Sequence, residues 1–439
     1  MFVLQRSTLS DAQTIPKKGY FLVLNFEDIT KYAHQFIFYI FLTFVTHFLN
    51  MKLSSCLQRF KEPETLRMAK LGRELRANGY DITDLSLGEP DFDTPEHIKQ
   101  ALIKAVQENY SHYPPVAGYL DLKEAICTKF ERDNHLKYNP ENIIVSTGAK
   151  QSIANAVIAI IDHNDEAIIP VPYWVTYSEI VKLVGGIPVT VKTDINNKYK
   201  ITPEDLRKAI TSKTKLFIFS SPCNPTGSIY NQQELAALAN ELLKYPDIYI
   251  ISDEIYEYIN YIGKHESIAQ FEELKDRVIV INGLSKGFAM TGYRLGYLAA
   301  NTEIVKACDK LQGQFTSGAN AVTQRAAITA LSGDLTSTIK MVEAFKNRRK
   351  RILELFSEIP DVECIEPDGA FYVFPTVNKY YGRQFKGGTI NNADDLCMYL
   401  LKEACVSTVP GHAFGDANCI RVSFANSMEN IEKGMQKIK

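Results

Sequence analysis

Residues 278–294 read VIVINGLSKGFAMTGYR. An apolar run, VIVI, leads directly into a turn carrying Ser285 and Lys286, and Arg294 follows eight residues after the lysine. The run is continuous rather than alternating, the pattern of a strand covered on both faces. The same arrangement occurs twice upstream. KLFIFSSPCNPTG (215–227) is a strand followed by a turn in which two prolines and a glycine hold Asn224. IYIISDEIYE (248–257) is a strand that ends on Asp253 and Tyr256. Working outward, candidate strands fall at 142–146, 167–170, 188–191, 215–220, 248–252 and 278–282. Helical patterns at 151–161, 173–183, 203–209 and 232–244 lie between them. This β-α-β rhythm predicts an α/β fold with a mostly parallel sheet flanked by helices.

The texture changes at both ends. An amphipathic stretch, 66–79, stops at a glycine. After residue 296 helical patterns dominate, the longest at 335–359, and an α+β tail follows with FYVFP and CIRVSF. The expectation is a large sheet domain plus a smaller domain. The chain has 439 residues, 45% hydrophobic and 23% charged, which is globular composition. Its 49 basic and 51 acidic residues give a net charge of -2, with no basic excess for a nucleic-acid backbone. Eight cysteines form no C-x-x-C pair, and eight histidines form no H-x-x-x-H or H-E-x-x-H. Neither a disulfide framework nor a metal site is expected, and unpaired cysteines fit a reducing compartment.

Residues 1–50 differ from the rest. FIFYIFLTFVTHFL (36–49) follows Lys17, Lys18 and Lys31. A membrane anchor would need about 20 apolar residues, and this run is shorter and contains His47. No small-residue cleavage site follows it. The reading preferred here is an extension outside the fold, with translation starting at Met51; the alternative is an anchor.

The three turns put Asn224, Asp253 with Tyr256, and Lys286 with Ser285 and Arg294 at successive strand ends, where open α/β sheets present their ligands. Each alone reads equally well as an ordinary turn, an N-cap aspartate or a solvated lysine. Together they form the set a pyridoxal phosphate (PLP) site needs. That set is a lysine to bond the aldehyde, a carboxylate for the ring nitrogen, and donors for the phenolic oxygen and phosphate.

The chain after Met51 resembles the class I aminotransferases of PLP fold type I, and within them the bacterial aspartate/prephenate aminotransferase subgroup. The resemblance rests on SLGEPDFDTP (86–95), YPPVAGYLDL (113–122), STGAKQ (146–151), PYWVTY (172–177), SPCNPTG (221–227), SDEIYE (252–257), SKGFAMTGYRLGY (285–297), DGAFYVFP (368–375) and IRVSFANS (420–427). It implies a large PLP-binding domain, 96–332, with a mostly parallel seven-stranded sheet. It also implies a small α+β domain assembled from 51–95 and 333–439. The implied roles follow. Lys286 bonds the cofactor aldehyde and is the catalytic residue. Asp253 pairs with the ring nitrogen, and Asn224 and Tyr256 bond the phenolic oxygen. Gly148, Ala149, Ser285 and Arg294 hold the phosphate. Trp174 stacks on the ring. Tyr113 reaches the phosphate of a neighbouring subunit in a homodimer. Arg421 clamps the substrate α-carboxylate bidentately, and Gly88 offers backbone to the substrate.

The resemblance further implies transamination between aspartate or glutamate and 2-oxo acids, with prephenate as a further acceptor, in the cytoplasm. Lys150 would contact a distal carboxylate and Lys61 would favour prephenate. Where the subgroup carries Ser-x-Thr this chain has Pro63-Glu64-Thr65, so only Thr65 remains. The alternatives within the fold are an aromatic aminotransferase and a carbon–sulfur lyase. A PLP-fold ligand sensor would need an N-terminal DNA-binding module, for which 1–50 is too short and too apolar. A dehydrogenase would need G-x-G-x-x-G after the first strand.

Overall fold

The computed structural model describes residues 33, 53–385 and 387–439. Contacts divide the chain into two units, Met1–Ser55 and Cys56–Lys439. The expected extension over 1–50, and its alternative as an anchor, lie outside the described residues except for residue 33. No helix among the described residues is long and apolar enough to cross a membrane.

The second unit is α/β, built on a seven-stranded sheet. Its strands are β1 (Ile143–Ser146), β2 (Glu166–Val171), β3 (Ile187–Lys192), β4 (Thr214–Ser220), β5 (Tyr249–Asp253), β6 (Val278–Gly283) and β7 (Gly296–Ala299). They are ordered β1-β7-β6-β5-β4-β2-β3. β7 runs antiparallel to both its neighbours, and the other pairings are parallel. Successive residues of a strand point to opposite faces. Thus Phe217, Phe219, Ile250, Val278 and Val280 meet one helical layer, which includes Glu96–Gln107, Leu120–Lys129, Gln232–Leu242 and Ala321–Ser332. Leu216, Ile218, Ile251, Ile279 and Ile281 meet the other, which includes Ala149–Ile160, Thr176–Leu183 and Thr302–Phe315. Two covered faces are why these strands read as unbroken apolar runs.

Two strand readings need correcting. β3 is an edge strand of mixed exposure, so it is not covered on both faces. The sequence reading also missed β7, GYLA, which is short and follows directly on the Lys286 turn. Its Gly296 lies so close to the Gly148–Ala149 turn that a Cβ there would collide with the Ala149 backbone.

A further apolar cluster joins distant parts of the sequence: Met68, Ile82 and Leu85 pack with Phe345, Ile352, Val373, Leu396, Val406, Val422 and Ile431. Thr83–Asp84 pairs in parallel with Val406–Ser407. Ile420–Ser423 lies between Val409–Pro410 and Tyr372–Val373, antiparallel to both. In that strand Ile420 and Val422 belong to the apolar cluster. Alternation turns Arg421 to the opposite face.

Candidate active site

Strand register builds the site. Ser220 pairs with Asp253, and Asp253 with Ile281, so β4 and β5 end level with each other and β6 runs two residues further, to Gly283. Their following turns, with Asn224, Tyr256 and Lys286, therefore open side by side. They line a cavity of about 370 Å³, together with Thr65, Ser86, Gly88, Ala149, Lys150, Trp174, Tyr177, Ser285, Arg294, Tyr372 and Arg421.

Lys286 Nζ donates to the Gly88 carbonyl and lies 5.8 Å from both the Tyr256 and Phe371 ring centres. Burial is the main cause of its lowered pKa, about 8, with Arg421 and Arg294 adding to the effect and Glu89 and Asp253 opposing it. A lysine that sheds its proton near neutrality is a usable nucleophile and base. Asp253 is 4% exposed. Its Oδ2 accepts from the Tyr177 hydroxyl at 2.6 Å and its Oδ1 from the Ile255 amide at 3.2 Å. Burial still pushes its carboxyl up to about 6. The nearby Lys286 charge offsets this only in part.

Arg421 is 2% exposed. It donates from Nη1 to Asn224 Oδ1 at 3.0 Å and from Nη2 to the Ser86 carbonyl at 2.6 Å. Its guanidinium carbon lies 4.4 Å from the Tyr372 ring centre. Its Nε has no hydrogen-bond partner among the described residues. Burial lowers its pKa. A buried guanidinium with donor capacity to spare is a carboxylate receptor. The Tyr256 and Tyr372 hydroxyls are 2.7 Å apart, and burial holds the Tyr256 pKa well above its usual value.

The Gly148 backbone, at φ 83°, caps Ala149–Ile160 at its positive end. The Arg294 guanidinium occupies the space a Cβ on Gly148 would fill. Ala149, Ser285 and Arg294 line the cavity beside this cap, an arrangement suited to an anion. Lys150 Nζ lies 5.0 Å from the Trp174 ring centre, and burial, with Arg294 nearby, lowers its pKa. Trp174 meets Tyr177 edge to face at 5.6 Å.

Two sequence-named residues stand apart. Lys61 is exposed and does not line the cavity; its backbone amide donates to Glu179 at 2.7 Å. Tyr113 is 92% exposed and does not line the cavity of its own chain. The sequence reading assigned no role to Tyr177, Tyr372 or Ser86. Tyr177 sits three residues after Trp174, in the first turn of the helix Thr176–Leu183 and inside the quoted PYWVTY, so it was within reach of the pattern. The Tyr372 and Ser86 contacts to the site come from segments distant in sequence and brought together only in three dimensions.

The family model for aminotransferase class I and II matches residues 80–438. The chain belongs to that family. A bifunctional aspartate aminotransferase and glutamate/aspartate-prephenate aminotransferase of Petunia hybrida is 42% identical over 89% of this chain and 82% of that protein. An aspartate/prephenate aminotransferase of Nitrosomonas europaea is 43% identical over 88% of this chain and 99% of that protein. The crystal structure of the aspartate aminotransferase from Rhizobium meliloti superposes with a TM-score of 0.85 at 36% identity, covering 89% of this chain and 98% of that one. The Thermus thermophilus aspartate aminotransferase with maleate gives 0.83 at 36%, covering 88% and 98%. This aminotransferase therefore has both the fold and the family of a transamination enzyme, and the cavity described above is its candidate active site.

Proposed function

We propose that the enzyme is a PLP-dependent aspartate aminotransferase, exchanging amino groups between aspartate or glutamate and 2-oxo acids, with prephenate as a further acceptor. The observation that carries this is the meeting of Lys286, Asp253, Tyr256, Arg294 and Arg421 in one cavity. The donor set fits the cofactor. Gly148, Ala149, Ser285 and Arg294 would hold its phosphate, Asp253 its ring nitrogen, Asn224 and Tyr256 its phenolic oxygen, and Trp174 a ring face. When bound, PLP supplies an aldehyde and a ring that accepts electrons.

The chain's own residues do the rest. Arg421 and Gly88 orient the substrate by its α-carboxylate side. Lys286, neutral above about pH 8, takes the proton from the substrate's α-carbon and returns one to the incoming oxo acid in the second half-reaction. The first oxo acid leaves before the second enters the same site, so ping-pong kinetics follow. Lys150 and Thr65 line the cavity and would meet a distal carboxylate.

The working assembly in this reading is a cytoplasmic homodimer, with Tyr113 reaching the partner's phosphate site. Residues 51–95 and 333–439 form the small domain and 96–332 the large one. The exposure of Tyr113 and the cluster joining Met68 to Val422 support that division.

Two outcomes follow. Protein containing only residues 51–439 is expected to keep full transaminase activity. Steady-state assay with aspartate, glutamate, phenylalanine and prephenate checks this, and preference for phenylalanine over both dicarboxylates would refute the substrate reading. Lys150→Ala is expected to raise KM for dicarboxylates selectively, by the about 1.5–3 kcal/mol of a charged hydrogen bond. Equal losses with phenylalanine would count against a distal-carboxylate role.

A further inference from the structure

The turn after β5 has two sides. Asp253 and Tyr256 line the cavity, whereas Glu254 and Glu257 are buried at 0% and 5% exposure. Glu254 accepts from Ser252 at 2.8 Å and Ser267 at 2.6 Å, and His265 Nε2 lies 2.9 Å from its second oxygen. Ligand-type atoms of Glu254, Glu257 and His265 lie within 4.8 Å of one another, a spacing that suits a cation. The cation facing Glu257 is the chain's own: Lys129, 0% exposed, ion-pairs with it.

The helix Leu120–Lys129 continues into a π-helical turn, Phe130–Asn134. Such turns redirect side chains within a helix. This one brings Lys129 and Asn134 onto the same carboxylate. Lys129 Nζ donates to Asn134 Oδ1 at 2.7 Å, and Asn134 Nδ2 donates to Glu257 at 3.0 Å. Asp133, held by Arg132, accepts from the Tyr258 hydroxyl at 2.6 Å and lies 3.9 Å from Lys129 Nζ. The Tyr258 ring packs on Gly287, closely enough that a Cβ there would collide with it, and meets Phe288 edge to face. The cluster thus underlies both the Asp253–Tyr256 turn and the Lys286 turn.

We propose that Lys129 is a positioning residue for transamination, whose buried ammonium pins these two turns in register through Glu257 and through Asp133–Tyr258. The proposal rests on the PLP reading of the cavity. Its mechanism is geometric. A buried ion pair with satisfied hydrogen bonds admits one arrangement, and an uncharged replacement of similar size does not enforce it.

The test uses the full chain with Lys129→Met and Glu257→Gln together, so that no charge is left unpaired. The apoprotein is expected to melt within about 4 °C of the parent, as a net-neutral exchange of a buried pair allows. PLP binding to the apoprotein, followed by Trp174 fluorescence, is expected to weaken about tenfold. The kcat is expected to fall about tenfold, the scale for sub-ångström misplacement, while KM for the amino donor stays within about threefold. The pH midpoint of the bound cofactor's absorbance is expected to shift. A folded variant with parental PLP affinity, kcat and absorbance titration would overturn the proposal. If the pair of changes prevents folding, Tyr258→Phe decides by the same readouts. It keeps every charge and the ring on Gly287 and removes only the hydroxyl bond to Asp133; parental values there overturn the proposal. A parent protein that takes up no PLP fails separately, by removing the cofactor reading beneath it.

Discussion

Lys286→Ala is expected to abolish transamination, with kcat falling by about 10⁴-fold or more, because in the proposed mechanism one side chain serves as both nucleophile and proton carrier. The structure explains why another lysine cannot substitute. Lys286 is buried, with its pKa lowered to about 8, in a cavity where the Gly88 carbonyl fixes its amine. Lys150 lines the same cavity but is carried by the first turn of the helix Ala149–Ile160, with its Nζ 5.0 Å from the Trp174 ring centre. The fold is expected to survive, since alanine leaves no unpaired charge. Circular dichroism and the apoprotein melting temperature check that. Residual activity within tenfold of the parent would remove Lys286 from its role.

Asp253→Asn is expected to lower kcat by about 10²–10³-fold, the scale of losing one preorganised electrostatic partner. It is also expected to stabilise the apoprotein. The sign follows from burial: the folded carboxyl is raised from 3.8 to about 6, so the folded state holds its proton more tightly than the unfolded state. Stability is therefore lost as pH rises through that window, and the full cost, up to about 3 kcal/mol, is present at pH 7. Asparagine, without the charge, can still accept from the Ile255 amide on its one oxygen, and its Nδ2 then donates to the Tyr177 hydroxyl instead of accepting from it. Melting curves of the apoprotein at pH 7 and pH 4 test this: the variant gains at pH 7 and little at pH 4. A variant that is no more stable at pH 7, or as active as the parent, would contradict the assigned pairing.

Much of this was legible in the sequence because parallel strands announce themselves. VIVI, LFIFS and IYII are apolar on both faces, and the polar residue that ends each run falls where the sheet presents ligands. β7 was not legible. Four residues beginning at Gly296, directly after a turn, carry too little periodicity to separate from it. β3 misled in the opposite way, since IPVTV reads as buried yet lies at the sheet's edge. Within the site, Asn224, Asp253 and Lys286 were readable from their turns. The hydroxyl pair of Tyr256 with Tyr372 and the Arg421 bond to the Ser86 carbonyl were not, because each joins residues more than a hundred positions apart. The same holds for Lys129, which sequence alone renders as one more charged residue ending an amphipathic helix.

The most direct measurement is to incubate the protein with PLP, reduce it with borohydride, digest it, and locate the modified lysine by peptide mass. The account predicts a single site, Lys286, blocked when the lysine is replaced by alanine. Labelling of a different lysine, or no labelling of a protein that is folded and exposed to excess cofactor, would contradict it.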